Sequence, residues 1–328
     1  MKESGVIQLP DLYPEINPYN VGFFNVSGGH KLYYEECGNP TGKPILFLHG
    51  GPGAGCSPND RRYFDPQKWR IILFDQRGSG RSKPFGSIEN NTTWYLVQDI
   101  KELMDYLEIK ELALFAGSWG STLALVFAIH HPEMVSGMIL RGIFLGEKDE
   151  SDYFFNGSTA LFFPEAWERF ISFVPKEFKQ DPAKYYSIQL KSPDLITRRN
   201  FAYEWARYEE ALLHLEPQKE ESVDKETSDF PYESLAIMEM HYLYDNQCFL
   251  GIPKYIIGNA NVIPKVPTSI IQGRYDIVCP PISAYRLAKA LPNAELHIIT
   301  AGHSSSDPAI RQKLIEETNA MFEKITKQ

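Results

Sequence analysis

The sequence predicts an α/β fold, a doubly wound and mostly parallel sheet that carries an inserted helical cap. Three observations point there. Short apolar runs of strand length alternate with segments of helical periodicity over the first 143 residues. A long aromatic-rich stretch, 144–262, then shows helical patterns and no buried strand, and the alternation resumes near Pro267. Strands covered by helices on both faces are apolar throughout, and alternation of strand with helix marks parallel winding. With 328 residues the chain has room for one large core and a subdomain. The expected division is 1–143 with 263–328 for the sheet domain and 144–262 for the cap.

Taken in order, the elements begin with two β-like runs between Val21 and Cys37. They flank Ser27-Gly28-Gly29, where glycines reach positive φ at little cost, so a hairpin at an antiparallel edge is expected. Buried strands are expected at Pro44 to Leu48, Ile71 to Phe74, Leu112 to Phe115 and Gly137 to Leu140, and after the insertion at Ser269 to Ile271. Thr92 to Leu107 is apolar at every third or fourth position, and Ser121 to His130 continues from a turn, so both predict helices. In the cap, Pro164 to Phe173 and Thr197 to Leu215 are helical in pattern, whereas the charged run Glu216 to Asp229 predicts a solvated loop. Ala309 to Ile325 closes the chain as an amphipathic helix.

Composition narrows the function. Apolar residues make up 43%, charged residues 23% and aromatic residues 13%, the balance of an ordinary globular protein. A net charge of -9 argues against nucleic acid as a partner, because phosphate-backbone binding needs basic surface. The first 30 residues lack a basic region followed by an apolar run, and no stretch approaches the roughly 20 apolar residues that span a bilayer. No membrane association and a cytoplasmic location are therefore expected. Four cysteines without a CxxC pair predict free thiols, with no metal site. The oligomeric state is left open.

One segment carries chemistry. Phe115-Ala116-Gly117-Ser118-Trp119-Gly120-Ser121 lies between a buried strand and a helix, the context of a nucleophile elbow, with Ala116 where the first glycine of G-x-S-x-G usually stands. Ser118 is the expected nucleophile. Asp276 follows the late strand Ser269-Ile270-Ile271, and His303 ends Leu296 to Gly302 in a glycine-containing turn. The order Ser, Asp, His distinguishes the α/β-hydrolase fold from other serine-triad folds. Asp276 is thus the expected orienting acid and His303 the general base, while His297 is expected only to pack. His49-Gly50-Gly51-Pro52-Gly53 lies where oxyanion donors belong. One donor is assigned to the Gly51 N–H, with Gly50 as the alternative, and the other to the Trp119 N–H. Neither glycine spacing of the phosphate-binding motifs occurs.

Together with Asp75-Gln76-Arg77-Gly78-Ser79-Gly80-Arg81-Ser82, Gly117-Ser118-Trp119-Gly120-Ser121-Thr122-Leu123 and Gly273-Arg274-Tyr275-Asp276, the His-Gly-Gly-Pro-Gly run closely resembles the prolyl iminopeptidases, from about Tyr13 to the C-terminus. The resemblance implies a serine aminopeptidase that releases N-terminal proline from small peptides with a free N-terminus through an acyl-enzyme, with no metal or cofactor. It also implies two cap glutamates that hold the substrate amine. Glu209 matches the first, in Trp205-Ala206-Arg207-Tyr208-Glu209, where tyrosine replaces the family's second tryptophan. Glu239 matches the second, in Ala236-Ile237-Met238-Glu239-Met240-His241-Tyr242. For the proline pocket the resemblance points to Phe144, Phe155 and Cys279, with Leu243 where an aromatic is frequent. An esterase or amidase on the same scaffold is the alternative, sharing the triad without needing Glu209 or Glu239.

Overall fold

Alternate residues of the central strands point to opposite faces, and in this chain both faces are apolar. In a computed structural model, which describes residues 12–216, 232–245, 248 and 252–327, Leu46, Leu48, Leu114 and Leu140 pack on one side of the sheet. Ile45, Phe47, Phe115 and Ile139 pack on the other. A strand with that pattern cannot expose either face, so helices must cover both. Burying each such side chain contributes about 1.5–3 kcal/mol.

The first half contains β1 (Asn20–Asn25), β2 (Lys31–Gly38), β3 (Lys43–Leu48), β4 (Trp69–Phe74), α1 (Thr93–Tyr106), β5 (Leu112–Gly117), α2 (Trp119–His130) and β6 (Val135–Arg141). The insertion follows with α3 (Lys148–Phe155), α4 (Pro164–Ser172), α5 (Pro182–Leu190), α6 (Leu195–Leu213), α7 (Tyr232–Glu239) and α8 (Tyr255–Gly258), and β7 (Thr268–Gly273), α9 (Pro281–Ala290), β8 (Ala294–Ile299) and α10 (Pro308–Thr326) complete the fold. The eight strands form one sheet in the order β1-β2-β4-β3-β5-β6-β7-β8. Pairing is antiparallel between β1 and β2 and between β2 and β4, and parallel from β4 to β8. The α1 and α2 side chains Leu103 and Phe127 fill one face, and Leu314 and Met321 of α10 fill the other.

The insertion has its own aromatic core. Phe170 stacks on Tyr186 at 4.2 Å and on Tyr208 at 4.5 Å, with Trp205 buried beside them. Its helices start where capping chemistry allows: the Asp181 carboxylate accepts from Lys184 N ahead of Pro182, and Asp194 accepts from Ile196 N and Thr197 N. The last turn of the insertion returns to the sheet, where Ile256 and Ile263 pack in the core on the α2 side. Glu216 is described, but the rest of the predicted solvated loop to Asp229 lies outside the described residues. Among those residues, no helix is long and apolar enough to cross a membrane.

Candidate active site

Strand β5 ends and α2 begins at one residue, Ser118, whose φ of 56° and ψ of -128° are unfavourable for a side chain. Such strain costs on the order of 1–3 kcal/mol and persists only where the surroundings enforce it. Here they do. Ser118 N donates to Arg141 O at 2.9 Å, and Ser121 N donates to Ser118 O at 2.8 Å. A Cβ at residue 120 would lie 2.1 Å from the Leu48 carbonyl oxygen, so only glycine permits this close crossing of α2 over β3. Ala116, one residue before the turn proper, is buried in the sheet core opposite Leu48 and Leu140, where its methyl is accommodated.

The acid and the imidazole come from adjacent strand ends. His303 Nδ1 lies 2.8 Å from Asp276 Oδ2, with both side chains buried. The opposite carboxylate oxygen accepts from Cys279 N at 2.7 Å, and Gln272 Nε2 donates to Oδ2 at 2.9 Å. A carboxylate facing Nδ1 places the imidazole proton there, leaving Nε2 as an acceptor. Gly142 makes room for the ring, since a Cβ there would meet His303 Cε1 at 2.9 Å. The cap contributes as well: Leu213 O, at the end of α6, accepts from His303 N at 2.8 Å and Ser304 N at 2.9 Å. His303 Nε2 faces Arg141 Nη1 at 3.2 Å, while the Ser118 hydroxyl hydrogen-bonds the buried Cys279 thiol, whose titration burial pushes well up.

Loop 49–53 is fixed from below by a neutral histidine. Burial lowers the His49 pKa, and its Nε2 accepts from Gln76 N at 3.0 Å. Gln76 in turn donates to His49 O at 3.0 Å and accepts from the Trp119 indole at 2.8 Å. From above, the Ser234 hydroxyl at the start of α7 donates to Gly53 O at 2.8 Å. Gly50 lies against Ser118, where a Cβ would be 3.2 Å from the serine Cβ, and Gly51 has a φ of +98° and lines the chamber over Ser118 with Trp119.

Glu209 on α6 and Glu239 on α7 enter that chamber from the cap, and both are buried. Their carboxyls hydrogen-bond each other. Desolvation raises both pKa values, and the charge of Glu209 raises Glu239 further, so the free pair retains a proton. His241 and Tyr242, just beyond, anchor α7 by bonding Asn91 O and Asn91 Oδ1, each at 2.5 Å. An acidic pair beside an elbow serine and a histidine–carboxylate couple can bind a cation next to an acyl-transfer centre.

Comparison with known proteins agrees with that arrangement. Residues 43–308 match the family described as alpha/beta hydrolase fold. A proline iminopeptidase of Arabidopsis thaliana is 44% identical over 312 residues, covering 94% of this chain and 82% of the relative. That of Xylella fastidiosa is 42% identical over 310 residues, covering 94% and 98%. The chain belongs to the proline iminopeptidase family. A thermophilic esterase from Thermogutta terrifontis shares the fold alone, with a TM-score of 0.62, 19% identity and coverage of 94% of this chain and 99% of that one.

Within this proline iminopeptidase relative, the expected pocket residues separate. Phe144 and Cys279 line the chamber with Ser118, Leu243 and Val278. Phe155 does not: it packs in the cap core at 5.3 Å from the Trp205 ring, and its neighbour Phe154 faces the chamber. Adjacent helical residues point about 100° apart, so α3 can offer only one of the two rings. Two polar residues escaped sequence reasoning. Gln272 bridges Asp276, Cys279 O and Ile143 N, and Arg141 lines the same cavity as Ser118 and meets His303 Nε2 at 3.2 Å. A charged or amide side chain ending an otherwise apolar parallel strand was the available signal, because ligands bind at those strand ends.

Proposed function

We propose that the protein is a serine exopeptidase that releases N-terminal proline from small peptides. One observation carries this: two buried carboxyls, Glu209 and Glu239, share a chamber with Ser118. The substrate's terminal amine is largely cationic at neutral pH, with a pKa of about 7.7–8.0, and two carboxylates give it charge-assisted hydrogen bonds in a site poor in water. That clamp holds the first carbonyl, and no later one, over the nucleophile.

The chemistry then follows from the site. Ser118 turns its hydroxyl from Cys279 to His303 Nε2, loses its proton there and attacks the carbonyl carbon. The Gly51 and Trp119 N–H groups receive the oxyanion, with Gly50 as the alternative to Gly51. Asp276 holds Nδ1 and stabilises the imidazolium, which protonates the departing nitrogen as the tetrahedral centre collapses to a prolyl ester on Ser118. Water, deprotonated by His303, hydrolyses the ester and frees proline. Phe144, Phe154, Leu243 and Cys279 give an apolar wall suited to a pyrrolidine ring. No step draws on a metal or cofactor. Four free thiols accord with a cytoplasmic location.

Turnover of a prolyl aryl amide and labelling by a fluorophosphonate test this together. Wild type is expected to do both and Ser118→Ala neither, with its fold intact. Labelling of Ser118 with turnover of simple acyl esters but of no aminoacyl amide would instead favour the esterase or amidase alternative.

A further inference from the structure

The space around Ser118 is polarised. Glu209 and Glu239 stand together in the chamber over Ser118, and an adjoining cavity of about 890 Å³, which Glu209 also borders, opens past His303 and is lined by Arg141. Apart from Glu209, which hydrogen-bonds Glu239, the other acidic groups lining that cavity are engaged as well. Asp75 accepts from Arg81 at 2.7 Å and Cys56 N at 2.8 Å, Asp60 accepts from Ser57 N at 2.7 Å, and Glu210 faces His214 at 3.5 Å. Arg141 differs. Its Nη1 donates to His303 O at 2.9 Å and meets His303 Nε2 at 3.2 Å, yet among the described residues no carboxylate forms an ion pair with it. The acid closest in charge, Asp276, has both oxygens committed to His303, Gln272 and Cys279.

We infer that Arg141 receives the free carboxylate of the residue that leaves, so that the preferred substrates are zwitterionic dipeptides of the prolyl-X type. The inference rests on the exopeptidase reading above. His303 Nε2 is the atom that protonates the departing nitrogen, and in a dipeptide a single Cα separates that nitrogen from the terminal carboxylate. A guanidinium 3.2 Å from Nε2 is therefore within reach of it, and its planar fork suits a carboxylate. The ammonium lies at the glutamate pair, the scissile carbonyl over Ser118 and the carboxylate at Arg141. Two effects follow. Drawing the guanidinium toward a carboxylate frees the Nε2 lone pair for the serine proton, and the added negative charge offsets the repulsion between Arg141 and the imidazolium that forms during attack. A longer peptide places a neutral amide at the same point and gains neither.

The test compares kcat/KM for prolyl-alanine, prolyl-alanine amide and prolyl 2-naphthylamide. Wild type is expected to favour the free acid over its amide by about tenfold or more, the range for a partly desolvated charge-assisted pair. In Arg141→Gln that ratio should fall to about one. Because the two dipeptides share every step except the carboxylate contact, the ratio is insensitive to general damage by the substitution, and the wild-type ratio alone already decides if the variant fails to fold. Equal wild-type rates for acid and amide, or an unchanged ratio in Arg141→Gln, would overturn the inference. Hydrolysis of the naphthylamide with an acid-to-amide ratio of one sinks the role of Arg141 and leaves the exopeptidase standing; failure on all three prolyl compounds sinks both.

Discussion

Trp205 of α6 donates its indole N–H to Glu239 Oε2 of α7 at 2.5 Å, both side chains being buried. The bond favours the charged form of a carboxyl that burial and Glu209 push the other way. Removing it while keeping an aromatic ring isolates that contribution. Trp205→Phe should raise KM for a prolyl amide by about tenfold, in line with hydrogen bonds to charged groups at about 1.5–3 kcal/mol, and leave kcat within a few fold. Steady-state kinetics check this; an unchanged KM would mean that Glu239 does not depend on the indole.

The glutamate pair also sets a pH dependence. Burial raises Glu209 to about 7, and the free pair holds a proton that the clamped ammonium must displace. Substrate binding therefore releases a proton, and kcat/KM for a free-amine substrate should rise with pH through about 7, then fall as the amine loses its own charge above about 8. Calorimetry of a non-hydrolysed amine ligand in buffers of different ionisation enthalpy measures the release directly. Proton uptake on binding at pH 6 would contradict it.

Much of this site was legible in the sequence, and the gaps have physical causes. The strands and the elbow were readable because two-faced burial demands uninterrupted apolar runs, and because only Gly120 lets α2 cross Leu48. The chain order of Ser118, Asp276 and His303 pointed to three strand-end residues, of which Asp276 and His303 stand 2.8 Å apart. Phe154 and Phe155 could not be told apart, since both are buried and only the roll of α3 decides which ring meets the chamber. The π-helical turn Met240–Tyr244 after Glu239 was also not foreseen. Arg141 acts on His303 across 162 positions of sequence, and Gln272 ties the nearby Asp276 and Cys279 to Ile143, 129 positions away.

Gln272 joins three backbone or side-chain partners in a buried spot, accepting from Ile143 N at 2.9 Å and donating to Cys279 O at 2.8 Å as well as to Asp276. Gln272→Leu leaves those groups unpaired at a cost of about 1–3 kcal/mol each. The variant should melt well below wild type and lose activity through a displaced Asp276. Asp276→Asn, by contrast, should fold normally and lose on the order of 10⁴ in kcat through the wrong imidazole tautomer. Calorimetric melting and kcat together separate the two; a twofold loss for Asp276→Asn would remove it from the triad.

The cap and the His303 loop are joined by His214, which faces Glu210 at 3.5 Å and Asp307 at 3.1 Å. The Glu210 hydrogen bond chiefly raises its pKa, with Asp307 adding to the effect against burial. A histidine raised in the folded state stabilises fully below its unfolded value of about 6.5, and that contribution disappears as pH climbs through the raised value. Melting temperature should therefore decline above pH 6.5, and His214→Gln should flatten the decline. An identical pH slope in the variant would assign the effect elsewhere.

If Glu209 and Glu239 confer N-terminal exopeptidase specificity on this serine hydrolase, N-acetylation of the substrate must remove it. A prolyl aryl amide and its N-acetyl derivative present the same carbonyl to Ser118 but differ in the cation offered to the clamp. Wild type should cleave the free-amine compound at least about a thousandfold faster in kcat/KM, because the neutral derivative leaves two buried carboxyls without a charged partner. Equal cleavage of the two compounds would show that the glutamate pair does not select the free amine.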